Sequence, residues 1–283
     1  MTPDLVARIA PLAPCYVYEQ SLIRESLSKL RRAFASCRFL YSVKANPFAA
    51  VLREAALAGF GTDAASAEEV RLSLEAGIEP DDIYYSAPGK TPQDIALSIG
   101  RCRIIADSLH EIELLEHEAG SLGKIEKIGL RLNPDFGVFS QDGLPSKFGI
   151  NAEDLGSVQK LLERCPHLRV SGFHMHLQSQ LLDEDALSQY YFRSFSFFDR
   201  IARSLDIEPE FLNFGSGIGL AYDQLQERDL DLEKLGAAFE KHQGKFERLA
   251  HAQSFIETGR FVACRAGTYF TPVVDVKASR GKT

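Results

Sequence analysis

The chain has 283 residues, 45% of them hydrophobic, and a formal net charge of -7 at pH 7, which allows a substantial core in one large domain. The acidic balance and the lack of any lysine or arginine block argue against nucleic acid as a partner, and Arg31-Arg32 reads as a solvated helix turn. No run is apolar enough to span a membrane, no secretory signal precedes residue 20, and the five cysteines lack any Cys-x-x-Cys, so a cytoplasmic protein with reduced thiols is expected.

In chain order, strand-like runs fall near residues 38–44, 59–64, 82–87, 102–107, 127–133, 169–177, 211–215 and 253–257. Amphipathic helical stretches lie between them, over 49–57, 67–76, 92–99, 109–117, 152–162, 185–205 and 232–249. Strict alternation implies parallel strands joined by right-handed crossovers. Eight such units match a closed (β/α)8 barrel, a fold of about 250 residues. The β-branched and aromatic runs at 14–18 and 268–277 look like strands of a second, β-rich module of which the chain holds only the beginning. The expected division is a barrel over 20–262, with 1–19 and 263–283 belonging to the other module.

Barrel enzymes gather their chemistry at the C-terminal ends of the strands. The first run ends at Lys44, in Tyr41-Ser42-Val43-Lys44-Ala45-Asn46-Pro47. A lysine there is expected to be partly desolvated, with its pKa lowered, so that the free amine can form a Schiff base with an aldehyde. The second run ends at Asp63, the fifth at Arg131 and Asn133. In the sixth, alternation puts Phe173, Met175 and Leu177 on one face and His174, His176 and Gln178 on the other, toward the interior. A flat imidazole there could stack on an aromatic cofactor; a hydrogen-bonded core histidine explains either one equally well, and zinc lacks a third ligand at convincing spacing.

After the seventh run comes Asn213-Phe214-Gly215-Ser216-Gly217-Ile218-Gly219. Its N–H groups could converge on a phosphate, or it is a plain strand-to-helix turn; it lacks the Gly-x-Gly-x-x-Gly spacing of dinucleotide sites. After the eighth comes Glu257-Thr258-Gly259-Arg260. Arg260 suits a phosphate and Glu257 a cationic ring nitrogen, although an isolated tetrapeptide of this kind also reads as a surface ion pair.

An amine for an aldehyde, a carboxylate for a ring nitrogen, a flat side chain to stack, and glycines with an arginine for a phosphate together describe a site for pyridoxal phosphate. On these motifs the chain resembles the fold-type III pyridoxal-phosphate decarboxylases, closest to the diaminopimelate decarboxylases and more distantly similar to ornithine and arginine decarboxylases, over about residues 16–282. The resemblance implies a TIM barrel of the alanine-racemase-like type and a homodimer acting on an amino acid. It makes Lys44 the Schiff-base lysine, with Asp63 and Arg131 beside it. His176 would stack on the ring and Ser179 would lie near the phosphate. Gly215, Ser216 and Gly217 match the phosphate loop, and Glu257, Gly259 and Arg260 match the family's Glu-Pro-Gly-Arg. Glu257 would keep the ring nitrogen protonated and favour decarboxylation, whereas the related racemases carry an arginine there. Gln178, Ser216 and Thr258 depart from the pattern. The family's β-domain, with its cysteine proton donor, acidic substrate contact and tyrosine, has no match in this chain. A non-catalytic cofactor-binding homologue is the alternative to an active decarboxylase, ahead of a racemase.

Overall fold

The computed structural model describes residues 3–223 and 225–281; the first two and last two residues of the expected terminal segments lie outside the described residues. Among the described residues eleven strands follow one another: β1 (Cys15–Tyr18), β2 (Cys37–Ser42), β3 (Gly61–Ala64), β4 (Ile83–Tyr85), β5 (Arg103–Ala106), β6 (Glu126–Asn133), β7 (Ile150–Asn151), β8 (Leu168–His174), β9 (Phe211–Asn213), β10 (Gln253–Thr258) and β11 (Gly267–Phe270). Eight of them, β2 to β6 and β8 to β10, pair in parallel in chain order, and β10 pairs with β2 to close the barrel. The short β7 adds to the rim of β6. This is the expected (β/α)8 architecture, because apolar runs buried on both faces pair in parallel under helices.

Alternation inside the barrel makes two layers. The lower holds Leu40, Tyr84, Ile105, Phe211 and Phe255, a cluster separate from the main core. Gly129 and Gly172 make room there: a Cβ on Gly172 would stand 2.4 Å from Phe211 Cδ1, and one on Gly129 2.4 Å from Ile105 Cδ1. Two residues further along each strand the side chains turn polar. The outer core packs Tyr191, Phe195 and Phe198 of the helix Glu184–Ser204 against Phe214 and Phe239.

Several elements differ from the sequence reading: the helix Pro3–Ile9 lies in the segment expected to belong to the β-rich module, and the helix Leu232–Gln243 ends short of residue 249. The helix Gln20–Ala33 precedes the barrel, and only its Arg31-Arg32 turn was anticipated. β8 stops at His174 rather than at residue 177. Its last ladder bond is Met175 N–H to Asn213 O at 2.9 Å, after which the chain turns across the Gly215 loop. β1 and β11 pair antiparallel in a sheet of their own, and residues 271–277 form no strand.

Candidate active site

The polar layer at the C-terminal mouth contains Asp63, Ser86, Asp107, Arg131, His174, Asn213 and Glu257, all buried. Each stands two residues beyond a residue of the lower barrel, so period-2 geometry aims them all at the axis. Lys44 lies just past β2 in a 3-10 turn, its Nζ 3.4 Å from Asp63 Oδ2. The Ser86 hydroxyl donates to the other Asp63 oxygen. Arg131 Nη1 donates to the Ser86 carbonyl at 2.9 Å, lies 3.5 Å from Asp107 Oδ1, and its guanidinium covers the Phe148 ring.

The protonation state of Lys44 corrects the sequence reading. Its side chain is 58% exposed, and the Asp63 charge outweighs desolvation, with Glu257 adding to it, so its pKa is raised rather than lowered. Lys44 is therefore an ammonium at neutral pH and must lose a proton before it can attack an aldehyde.

Glu257, the residue before the last of β10, lies buried inside the barrel. Asn213 Nδ2 donates to its Oε1 at 3.0 Å, and Asn213 Oδ1 in turn accepts the Gly215 N–H at 2.9 Å, which fixes the amide's orientation. His174 Nε2 lies 3.0 Å from the same carboxylate oxygen. Burial pushes the Glu257 carboxyl up, but the two facing histidines, His174 foremost, together outweigh it and hold the group well below the usual carboxylate range; burial lowers the His174 pKa. The result is an ionised carboxylate facing both histidines. His176 is positioned differently. Its Nδ1 accepts the Ser216 N–H at 3.0 Å, so that nitrogen has no proton for Glu257 Oε2 3.4 Å away. The two histidines thus share Glu257 without sharing a strand face. Gln178, expected to face inward with them, is exposed because the strand has already ended.

The loops after β9 and β10 carry the glycine turn and Arg260. Gly215 and Gly217 have φ of 65° and 152°, and a Cβ on Gly215 would come 2.5 Å from Met175 O, so only glycine lets this turn lie against the chain leaving β8. Arg260 Nη2 donates to Ser179 Oγ at 2.7 Å. A Cβ on Gly259 would stand 2.8 Å from Ala45 Cβ, so glycine is what brings this loop against the Lys44 turn. Thr258 points away from the mouth, its hydroxyl buried and without a partner.

The sequence reading missed the support behind this layer. Lys90 and Glu111 form a fully buried ion pair at 2.9 Å. Lys90 Nζ also donates to Ala87 O and Ile105 O, and Glu111 accepts the N–H of Lys90 and of Asp107. In the sequence Asn213 stands out only as a flank of the glycine run, and nothing local marks Ser86. Applying strand alternation to every run, rather than to the sixth alone, would have found Ser86, Asp107 and Asn213. The 136–147 stretch is tied to the helix Glu184–Ser204: Arg193 donates to Gly137 O, Ser140 O and Gln141 O and stacks on Phe136.

An accessible amine, a buried ionised carboxylate and a glycine turn beside a guanidinium fit pyridoxal phosphate in chemistry and in polarity. The chain matches the family model for the pyridoxal-binding domain of the pyridoxal-dependent decarboxylases over residues 20–264. It is 29% identical to a diaminopimelate decarboxylase of Zymomonas mobilis over 98% of its own length and 67% of that protein. It is 28% identical to the L-glutamyl-[BtrI acyl-carrier protein] decarboxylase of Niallia circulans, over 95% of its length and 65% of that relative. Among solved structures, the diaminopimelate decarboxylase of Helicobacter pylori in complex with L-lysine superposes with a TM-score of 0.76 at 25% identity, covering 90% of this chain and 65% of that one. The chain thus spans about two thirds of the length of the relatives it matches.

Proposed function

The chain belongs to the pyridoxal-dependent decarboxylases, and from that premise we infer that it removes the α-carboxyl group of an amino acid, in the manner of a diaminopimelate decarboxylase, with pyridoxal phosphate as cofactor. Bound pyridoxal phosphate supplies an aldehyde for an amine and a ring nitrogen that draws off the electron pair left when carbon dioxide departs. The observation that carries the reading is the ionised Glu257, buried between Asn213 and His174. A carboxylate fixed in that state would hold a proton on the ring nitrogen, and a strong electron sink suits decarboxylation.

Lys44 would hold the aldehyde carbon through Nζ, with Asp63 stabilising its ammonium until the proton leaves. Arg131, tied to Ser86, would keep a positive charge facing the same space. His176, its ring fixed by the Ser216 N–H, would lie flat against the cofactor. Gly215, Ser216, Gly217, Ser179, Gly259 and Arg260 would take the phosphate. Among the described residues no helix is long and apolar enough to cross a membrane, and we place the protein in the cytoplasm as a homodimer. We assign residues 20–262 to the barrel and the flanks 1–19 and 263–283 to a second β unit; the separate pairing of β1 with β11 supports this.

The test is carbon dioxide release from a panel of amino acids, meso-diaminopimelate and glutamate included, with borohydride trapping of pyridoxal phosphate and peptide mapping. A pyridoxyl group on Lys44 with release from one substrate is expected. Label on another lysine, or α-proton exchange without carbon dioxide, refutes the reading. Glu257→Gln should lower turnover by about 10²-fold while Lys44 is still labelled.

A further inference from the structure

Arg260 spreads its two terminal nitrogens between two hydroxyls: Nη2 donates to Ser179 Oγ at 2.7 Å and Nη1 to the Tyr222 phenol oxygen at 3.3 Å. Among the described residues no carboxylate stands within ion-pair distance of this guanidinium, unlike Arg265 nearby, which pairs with Asp229. Both hydroxyls accept from the arginine, so both keep an O–H of their own to give. A cation flanked by two donors and lacking a counter-charge suits an anion.

Tyr222 is 57% exposed, yet the backbone leading to it is held from both edges. Gln180 bonds both the N–H and the carbonyl of Leu220. Asp229 accepts the Ala221 N–H at 2.9 Å, Arg265 Nη2 donates to Ala221 O at 2.7 Å, and Glu227 accepts the Tyr222 N–H at 2.9 Å. A tyrosine that merely decorated the surface would need no such frame. The segment also runs directly on from the Gly215–Gly219 turn, so its backbone and Arg260 border one anion site.

We propose that Tyr222 is a ligand of the cofactor's phosphate group, its phenol O–H donating to a phosphate oxygen while Arg260 pairs with the charge. This rests on the pyridoxal-phosphate reading above and adds to it a residue within the barrel, distinct from the tyrosine that the resemblance would bring from a β-domain.

Pyridoxal and pyridoxal phosphate differ only in the group Tyr222 would touch, so comparing them isolates its contribution. Cofactor-free wild type and Tyr222→Phe are titrated with each, following the absorbance change, and inorganic phosphate is added as a competitor. Loss of one hydrogen bond to a charged group should weaken pyridoxal phosphate binding in Tyr222→Phe about tenfold. Pyridoxal affinity should stay unchanged, and phosphate should compete less well than in wild type. If wild type binds pyridoxal phosphate and the variant binds it equally well, or loses both ligands alike, the assignment of Tyr222 is overturned and the cofactor reading stands. If wild type takes up neither ligand, both fall.

Discussion

Lys44 and Glu257 hold opposite charges at the barrel mouth, and the charge state of each is set by its neighbours. Asp63 raises the Lys44 pKa, with Glu257 adding to the effect. A raised lysine pKa means the free amine is a small fraction at neutral pH and grows about tenfold per pH unit until the pKa is reached. Capture of pyridoxal phosphate, trapped by borohydride at short times, should therefore accelerate by about tenfold per unit between pH 7 and 9. In Asp63→Asn the Lys44 pKa falls, and the same rise should occur at lower pH. An unchanged profile in that variant would mean that Asp63 does not control the amine. The place of Lys44 was legible in the sequence, since a lysine at the end of the first barrel strand can be read from pattern alone. Its protonation state was not legible, because that depends on an aspartate from the next strand and on how open the mouth is. His174 and His176 divide the same way: their place at the mouth followed from the strand that leads to them, while the hydrogen bond from Ser216 that fixes the His176 tautomer is a contact between two loops.

At the scale of elements, the polar layer rests on a strut between the loops after β4 and β5. Lys90 spends all three ammonium hydrogens on Ala87 O, Ile105 O and Glu111, and Glu111 holds the backbone of Lys90 and Asp107. Burial lowers the Lys90 pKa, so the pair persists because its geometry is complete rather than because burying charge is favourable. Lys90→Met, with Glu111 intact, should lose about 3–5 kcal/mol of stability by leaving a carboxylate buried and unpaired. The double variant Lys90→Met, Glu111→Leu should recover much of that in urea unfolding; an equal or larger loss would mean the pair is not acting as a unit. Strand positions were legible because apolar runs with β-branched and aromatic residues recur at each one. The end of β8 was not, since His176 and Gln178 continue the alternation in sequence after the ladder has stopped at Met175. Tertiary pairing with the Gly215 turn, not local pattern, ends that strand.

Closing the molecule requires the first and last βα units to meet. β10 pairs with β2 through residues 254–258, and outside that seam the helix Leu232–Gln243 packs on the helix Gln20–Ala33. Gly236 lies at the crossing: a Cβ there would stand 1.7 Å from the Ala33 carbonyl oxygen. The obstacle is backbone, so it cannot rotate aside, and the two helices must separate. Gly236→Ala gains about 1 kcal/mol of helix propensity but should lose about 3 kcal/mol to overpacking, a net destabilisation of about 2 kcal/mol. Gly156, in the helix Leu155–Leu162, has nothing within 4 Å of its Cβ position. The same substitution there should leave stability unchanged or raise it by up to about 1 kcal/mol. Because the seam joins the two ends of one parallel sheet, the Gly236→Ala loss should appear at the same urea concentration in far-UV and near-UV circular dichroism. Two separate transitions would show that the seam opens before the rest of the barrel, and equal signs at Gly236 and Gly156 would show that helix propensity, not barrel closure, sets the effect.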